Sequence, residues 1–223
     1  MLLAVDTSTA QLGLALYDGA QVLAELTWRG HSRHTQELAP AVADLLNRIG
    51  AGLDHLQAIG IAIGPGSFTS LRVGLAFVKG LALARHLPLV GVPTLDVVAA
   101  AVPLDPTRRL AAVLQAGRGR LALVWYQASE NGWQAEGPAT VTTAAELEQQ
   151  ISKPVIICGE LTAEDRHHLA RRYKNVRLAS PATCVRRPAL LAEIAWQRWQ
   201  AGQVDSAASL APIYLHVAGG PAT

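Results

Sequence analysis

Residues 59–74 read Ile59-Gly60-Ile61-Ala62-Ile63-Gly64-Pro65-Gly66-Ser67-Phe68-Thr69-Ser70-Leu71-Arg72-Val73-Gly74. An apolar run of strand length, Ile59 to Ile63, breaks at glycine and proline and passes straight into helical spacing, which continues to about His86. Ser67 or Thr69 is placed to cap that helix. Glycines that lead into a helix present backbone N–H groups and a dipole end to an anion, or simply shape the turn. The loop Gly64, Pro65, Gly66, Ser67 is not a Walker A loop, because no lysine follows its glycines.

Upstream, Leu2 to Asp6, Leu12 to Tyr17 and Val22 to Trp28 read as three strands, with Asp18-Gly19 as a hairpin turn between the second and third. Thr35 to Ile49 switches to helical period, with Leu38, Val42, Leu45, Leu46 and Ile49 on one face. Ser32 or Thr35 caps it, Pro40 falls near its first turn, and Gly50 and Gly52 end it. Downstream come a strand at Leu89 to Val92 and a helix at Thr94 to Val102. This β-β-β-α-β-α-β-α order predicts an α/β fold with a mixed sheet and helices on its faces.

Pro103 to Pro106 marks a boundary. Beyond it, Leu110 to Leu114 and Leu121 to Tyr126 read as paired strands around Gly117-Arg118-Gly119, and Val155 to Cys158 as another strand. Thr142 to Ile151, Thr162 to Tyr173 and Ala189 to Gln200 read as helices. The Gly219-Gly220-Pro221 tail reads as disordered.

The chain has 223 residues, half of them hydrophobic and 16% charged, which suits one large domain or two small lobes with a real core. Mean hydropathy is +0.22, yet no run reaches the roughly 18 uninterrupted apolar residues of a spanning helix. Leu71 to Leu87 comes closest, and Arg72, Lys79 and Arg85 interrupt it. No secretory leader is visible, and two cysteines, Cys158 and Cys184, are too few for a disulfide framework. A cytoplasmic protein with Cys158 as a buried thiol at a strand end is the expectation. Net charge is +2, far from a dedicated nucleic-acid binder. Arginines do gather in the second half, at Arg108-Arg109, Arg118, Arg120, Arg171-Arg172 and Arg186-Arg187, as solvated surface or a phosphate-contact face.

Three features bear on chemistry. Asp6-Thr7-Ser8-Thr9, after the first strand, puts a carboxylate and hydroxyls in a tight turn, which either faces a phosphate or metal-bound water or forms an ordinary Asx turn. The glycine loop is the second. The third is the helix after it, with Leu71, Gly74, Val78 and Leu81 on one side and Val73, Phe77, Gly80 and Ala84 on another. Two apolar sides need two partners, one of them the sheet and the other a neighbouring helix or another chain. His31 and His34 find no third ligand, so no metal site is expected, and no catalytic triad or carboxylate pair emerges from the spacing.

Together, Leu3-Ala4-Val5-Asp6-Thr7-Ser8-Thr9, Glu37-Leu38 with Pro40, the Gly64 to Gly74 stretch, Gly80-Leu81-Ala82 and Gly91-Val92-Pro93-Thr94-Leu95 resemble the TsaB (YeaZ) family. The resemblance is dense to about Ala101 and thin afterwards, returning at Leu210, Pro212, Ile213, Tyr214 and Leu215. It implies the actin-like ATPase (ribonuclease H-like) fold, in two lobes of related topology with mixed sheets and flanking helices. Residues 1–103 would form the N-terminal lobe with partner-binding helices, 104–216 a smaller, diverged C-terminal lobe, and 217–223 a disordered tail.

The resemblance further implies a non-catalytic scaffold or activator. It would pair with a TsaD-type transferase, joined by a TsaE-type ATPase, in threonylcarbamoylation of tRNA adenosine, reaching tRNA indirectly. Pairing would use the helices near Thr35–Ile49 and Phe68–His86, with Leu38, Val42, Leu45, Leu71, Gly74, Leu75 and Val78 as contact positions. A homodimer can use the same surface. No catalytic residue, metal or tightly bound cofactor is implied, with ATP or ADP confined to a complex interface and Asp6, Thr7 and Ser8 as the nucleotide-facing turn. His31 and His34 are spaced by three, unlike the metal-holding pair of TsaD. Two departures stand out: Ser70 replaces the family's glycine, and Gln115-Ala116-Gly117-Arg118 replaces an aspartate-alanine-arginine stretch. An ATP-dependent phosphotransferase or hydrolase of the same fold is the alternative, motivated by the Asp6 turn, and a metallopeptidase is a third reading.

Overall fold

The computed structural model describes residues 1–30, 34–171 and 174–215. His31, the proposed cap Ser32, Arg172 and the tail 217–223 lie outside the described residues. The chain divides into two units: one comprises Met1–Val97 with Arg186–Ile213, and the second contains Val98–Val185.

In the first unit, β1 (Leu2–Asp6), β2 (Gln11–Tyr17), β3 (Val22–Arg29), β4 (Ala58–Ala62) and β5 (Leu89–Val92) form one sheet in the order β3-β2-β1-β4-β5. β1 pairs antiparallel with β2 and parallel with β4. It is buried on both faces, which is why it reads as an unbroken apolar run. Leu3 and Val5 face α1 (His34–Arg48) and α2 (Phe68–Arg85), in a core that includes Leu38, Val42, Leu45, Leu75 and Val78. Leu2 and Ala4 face the opposite layer, where Leu191, Ala192 and Ala195 of α6 (Pro188–Gln200) cover the sheet.

The α6 backbone comes close to the sheet because Gly60 has no side chain: a Cβ there would stand 2.6 Å from the Cβ of Ala195. The N-cap residue of α6, Arg187, makes no side-chain cap, and Glu25 of β3 supplies the acceptor instead, taking the Ala189 N–H at 3.1 Å. This packing corrects the division drawn at residue 103. Residues 186–213 belong to the first unit, because α6 buries the face of the sheet that α1 and α2 leave bare. Sequence periodicity identifies α6 as amphipathic but carries no label for the sheet that it covers.

The second unit contains α3 (Thr94–Ala100) in part, then β6 (Arg109–Gln115), β7 (Leu121–Ser129), β8 (Gly132–Ala135), β9 (Thr140–Thr142), α4 (Ala144–Gln150), β10 (Val155–Gly159), α5 (Ala163–Ala170) and β11 (Val176–Leu178). Its sheet runs β11-β10-β6-β7-β8, with β9 also on β7. β6, β7 and β8 form an antiparallel meander, and β10 and β11 add in parallel. The first sheet has the same plan, a meander β1-β2-β3 followed by parallel β4 and β5. The two lobes thus share a topology, as expected of the actin-like fold.

The short strands β8, β9 and β11 went unread in the sequence, being three or four residues long and half polar. Capping explains two boundaries. Thr143 and Thr162 form capping boxes with Glu146 and Asp165, so α4 and α5 begin one residue after each threonine. Pro40 sits in the second turn of α1 rather than the first, on its solvent side. Among the described residues, no helix is long and apolar enough to cross a membrane.

Candidate functional site

The turn after β1 and the loop before α2 come together at the C-terminal ends of β1 and β4. Asp6, Thr7, Ser8 and Thr9 are all buried there. Asp6 Oδ1 accepts the Ser8 N–H at 2.8 Å, which is the Asx turn anticipated as one of two readings. The Ser8 carbonyl then accepts the Ser67 N–H at 2.6 Å. A Cβ on Gly66 would stand 2.1 Å from that same carbonyl oxygen, so only glycine lets the loop lie against the turn. Ser8 Oγ hydrogen-bonds Thr94 Oγ1 at 2.8 Å, and Thr94 Oγ1 accepts the Gly64 N–H at 2.9 Å. Thr7 Oγ1 donates to the Ser70 carbonyl in the first turn of α2 at 2.9 Å. Ser67 caps α2 through the Ser70 N–H, at a long 3.4 Å, so the departure at Ser70 leaves the helix start in place.

The remaining oxygen of Asp6 faces a cation from the far end of the chain. Arg186 Nε donates to Asp6 Oδ2 at 2.8 Å, and Arg186 Nη2 donates to Thr9 Oγ1 at 2.7 Å. Arg186 is only 1% exposed, the largest fully buried side chain among the described residues. Two ions removed from water together, with their hydrogen-bonding groups satisfied, compensate each other's desolvation. Charge on Asp6 is thus matched internally, by one backbone N–H and one guanidinium. A carboxylate so engaged is not poised to hold a metal or activate water, and the turn acts as a latch joining β1, the glycine loop and the lead into α6.

The structure therefore brings Asp6, Thr7 and Ser8 together with Gly64, Pro65, Gly66 and Ser67, which the sequence read as two separate features, and adds Thr94 and Arg186 to them. A carboxylate buried at the end of a strand needs a partner. Nothing local says which of the second-half arginines supplies it. Of the others, Arg108 pairs with Asp105 at 3.3 Å, Arg109 with Glu136, and Arg187 with Glu25 at 2.5 Å.

The seven contact positions named from the sequence point inward. Leu38, Val42, Leu45, Leu71, Gly74, Leu75 and Val78 are all buried in the first unit's own core. Helical periodicity marked the apolar faces correctly, but the sheet covers them. What α2 presents outward is a different strip: Phe68 (53% exposed), Arg72, Ala76, Gly80, Leu83 (67% exposed) and Ala84. The Arg72 guanidinium lies over the Phe68 ring, 3.7 Å from its centroid.

In the second unit, Gln115 stands at the end of β6 where the family's aspartate was expected. Its Nε2 donates to Asp165 Oδ2 at 3.0 Å and to the Glu160 carbonyl at 3.3 Å. A carboxylate at that position would face Asp165 with like charge, so the amide fits the neighbour that this chain carries. Among the described residues, no group of three His, Cys, Asp or Glu side chains is placed to hold a metal ion.

Against known proteins, a family model described as TsaD, tRNA N6-adenosine threonylcarbamoyltransferase, matches residues 22–197, more than half of the chain. The tRNA threonylcarbamoyladenosine biosynthesis protein TsaB of Escherichia coli (strain K12) is 38% identical over 139 residues, covering 60% of this chain and 59% of that protein. TsaB of Bacillus subtilis (strain 168) is 37% identical over 99 residues, covering 44% and 43%. A tRNA N6-adenosine threonylcarbamoyltransferase of Nitratidesulfovibrio vulgaris (strain DP4) is 44% identical over 89 residues, covering 40% of this chain and 23% of that one. The chain spans about half the length of the curated relatives it matches. YeaZ from Pseudomonas aeruginosa superposes with a TM-score of 0.74 over 96% of this chain and 99% of that one, at 24% identity, which shows a common fold. With its first-lobe motifs, its two-lobed topology and these matches in agreement, the chain belongs to the TsaD family of tRNA N6-adenosine threonylcarbamoyltransferases, on the side of its TsaB (YeaZ) members.

Proposed function

We propose that this chain is a non-catalytic scaffold or activator subunit that pairs with a TsaD-type transferase in the threonylcarbamoylation of tRNA adenosine. The observation that carries this reading is the sealed turn. In the turn that the family resemblance marks as nucleotide-facing, Asp6 is buried and paired with Arg186 of the same chain. No tightly bound nucleotide is expected on the lone chain, and ATP or ADP belongs at an interface of the assembly. A TsaE-type ATPase is the expected third component, tRNA is reached through the partner, and the cytoplasm is the expected compartment.

The pairing surface proposed is the outward strip of α2 with the adjoining solvent side of α1. Ala76, Gly80 and Ala84 permit close helix approach there, and Phe68 and Leu83 supply apolar area that water now covers. A second copy of this chain would compete for the same strip.

Co-purification with the cognate TsaD-type subunit tests the proposal. Wild type is expected to give a one-to-one complex. Ala76→Glu and Leu83→Glu, both at exposed positions, are expected to leave the chain folded and weaken the complex at least about thirty-fold, a loss of ~2 kcal/mol at a buried contact. Leu75→Glu and Val78→Glu would instead bury a charge in the core and unfold the chain. Absence of any complex, or ATP turnover by the lone chain, would reject the scaffold reading.

A further inference from the structure

The chain has two cysteines, 26 positions apart in sequence, and the second unit brings them into contact. Cys158 lies in β10 and is fully buried. Cys184 lies in the turn before α6 and is partly exposed. Their sulfurs are 3.8 Å apart, with the Cys158 thiol donating to Cys184 and also directed at the Thr183 carbonyl at 3.8 Å. Arg166 of α5 directs Nη1 at the Cys184 sulfur from 3.9 Å and anchors Nη2 on the Ala179 carbonyl at 2.6 Å. Buried cysteine is usually a small hydrophobe, and a guanidinium held over one sulfur is not what such packing requires.

These neighbours divide the roles between the two thiols. The Cys184 thiol is pulled down to about 6, first by the hydrogen bond from Cys158, against the cost of partial burial, with the Gly159 N–H and Arg166 assisting. Cys158 is pushed up by the same hydrogen bond, by burial and by the like charge that it would share with Cys184. Cys184 is partly exposed and beside a cation that favours its thiolate, while Cys158 is enclosed and holds its proton more tightly. That is the division between an attacking and a resolving thiol.

We propose that Cys158 and Cys184 form a reversible disulfide, with Cys184 reacting first and Cys158 resolving, and a low-molecular-weight disulfide such as oxidised glutathione as the oxidant. The Cys184 thiolate attacks one sulfur of the oxidant, whose S–S bond breaks and releases one glutathione thiolate. Cys158 then attacks the Cys184 sulfur of the mixed disulfide. The second glutathione leaves and takes up the Cys158 proton. Two protein thiols are oxidised and one external disulfide is reduced to two thiols. The sulfurs must close from 3.8 Å to about 2.05 Å, a movement open to residues 180–185, which form a turn outside any strand or helix.

The test treats the full chain with oxidised glutathione and follows thiol titre, intact mass and linked peptides. Wild type is expected to lose both thiols and roughly 2 Da of mass, to yield a Cys158–Cys184 cross-linked peptide, and to recover both thiols in dithiothreitol. Cys158→Ser is expected to stop with one glutathione on Cys184. Cys184→Ser is expected to leave Cys158 unmodified over the same period, at least about tenfold slower to react. Three outcomes overturn the proposal: wild type keeps both thiols, it ends as a stable glutathione adduct, or it links chain to chain rather than within one chain.

Discussion

Replacing Arg186 with alanine is expected to destabilise the protein by roughly 3–5 kcal/mol, the penalty for leaving a buried charge without its partner. Asp6, 2% exposed in the wild-type protein, would keep one oxygen on the Ser8 N–H while the other faced the space vacated by the guanidinium. Thr9 would lose a charge-assisted donor in the same step. The neighbouring Arg187 provides the control. In its pair with Glu25 the arginine side chain is 58% exposed and Glu25, 21% exposed, keeps the Ala189 N–H as a partner, so Arg187→Ala should cost about 1 kcal/mol or less. The contrast falls between adjacent residues of one dipeptide, which removes differences of backbone context. Urea unfolding of the two variants and wild type measures it. A double variant, Asp6→Asn with Arg186→Met, removes both charges and should recover a large part of the loss, since replacing a whole buried pair is far milder than breaking it. Equal costs for Arg186→Ala and Arg187→Ala would mean that the latch contributes nothing special, and would reopen the Asp6 turn as a ligand site.

That pair also shows where reading from sequence stops. The strand ending at Asp6, the glycine loop and the helix from Phe68 are written in contiguous residues, so local rules for turns, caps and period suffice to place them. Ser67 as cap, the hairpin at Asp18-Gly19 and the helices α1 and α2 emerge accordingly. Arg186 lies 180 positions from Asp6, and its sequence neighbours, a second arginine and a helix-starting proline, are what an exposed lead-in to a helix looks like. The same non-locality moved α6 into the first unit and brought Cys158 to Cys184. The contact positions named on α1 and α2 show a different limit. Amphipathic spacing at Leu71, Gly74, Leu75 and Val78 reports that a face is covered without reporting by what, and the chain's own sheet covers it. Of the outward strip, Gly80 and Ala84 fall on the second apolar side that the helical period marks, whereas Phe68 and Leu83 do not.

Two glycines on α2, six residues apart, are expected to respond to alanine with opposite signs. At Gly80 a Cβ meets nothing within 4 Å, so Gly80→Ala should stabilise the chain by about 1 kcal/mol through helix propensity alone. At Gly74 the same methyl would stand 2.1 Å from Thr7 Oγ1 and 3.0 Å from Thr7 Cγ2. Thr7 is fully buried, branched at Cβ and fixed by its bond to the Ser70 carbonyl, so it has no open rotamer into which to withdraw. Either that bond breaks or α2 lifts from the turn, and both disturb the loop that Gly66 holds against Ser8. Overpacking of this kind costs roughly 1–3 kcal/mol and sometimes more, and the contact with fixed Thr7 is at its severe end, so after the propensity gain of about 1 kcal/mol Gly74→Ala should still destabilise, by up to about 2 kcal/mol. Thermal or chemical unfolding of the two variants reads the signs directly. Stabilisation by both would show that α2 can move off the turn without loss, and the Asp6–Arg186 latch would then not be held shut from the helix side. Opposite signs would separate the inward side of α2, which the fold needs bare, from its outward side, where Gly80→Ala can be carried into the binding assay with the TsaD-type partner as a folded probe of how closely a second helix approaches.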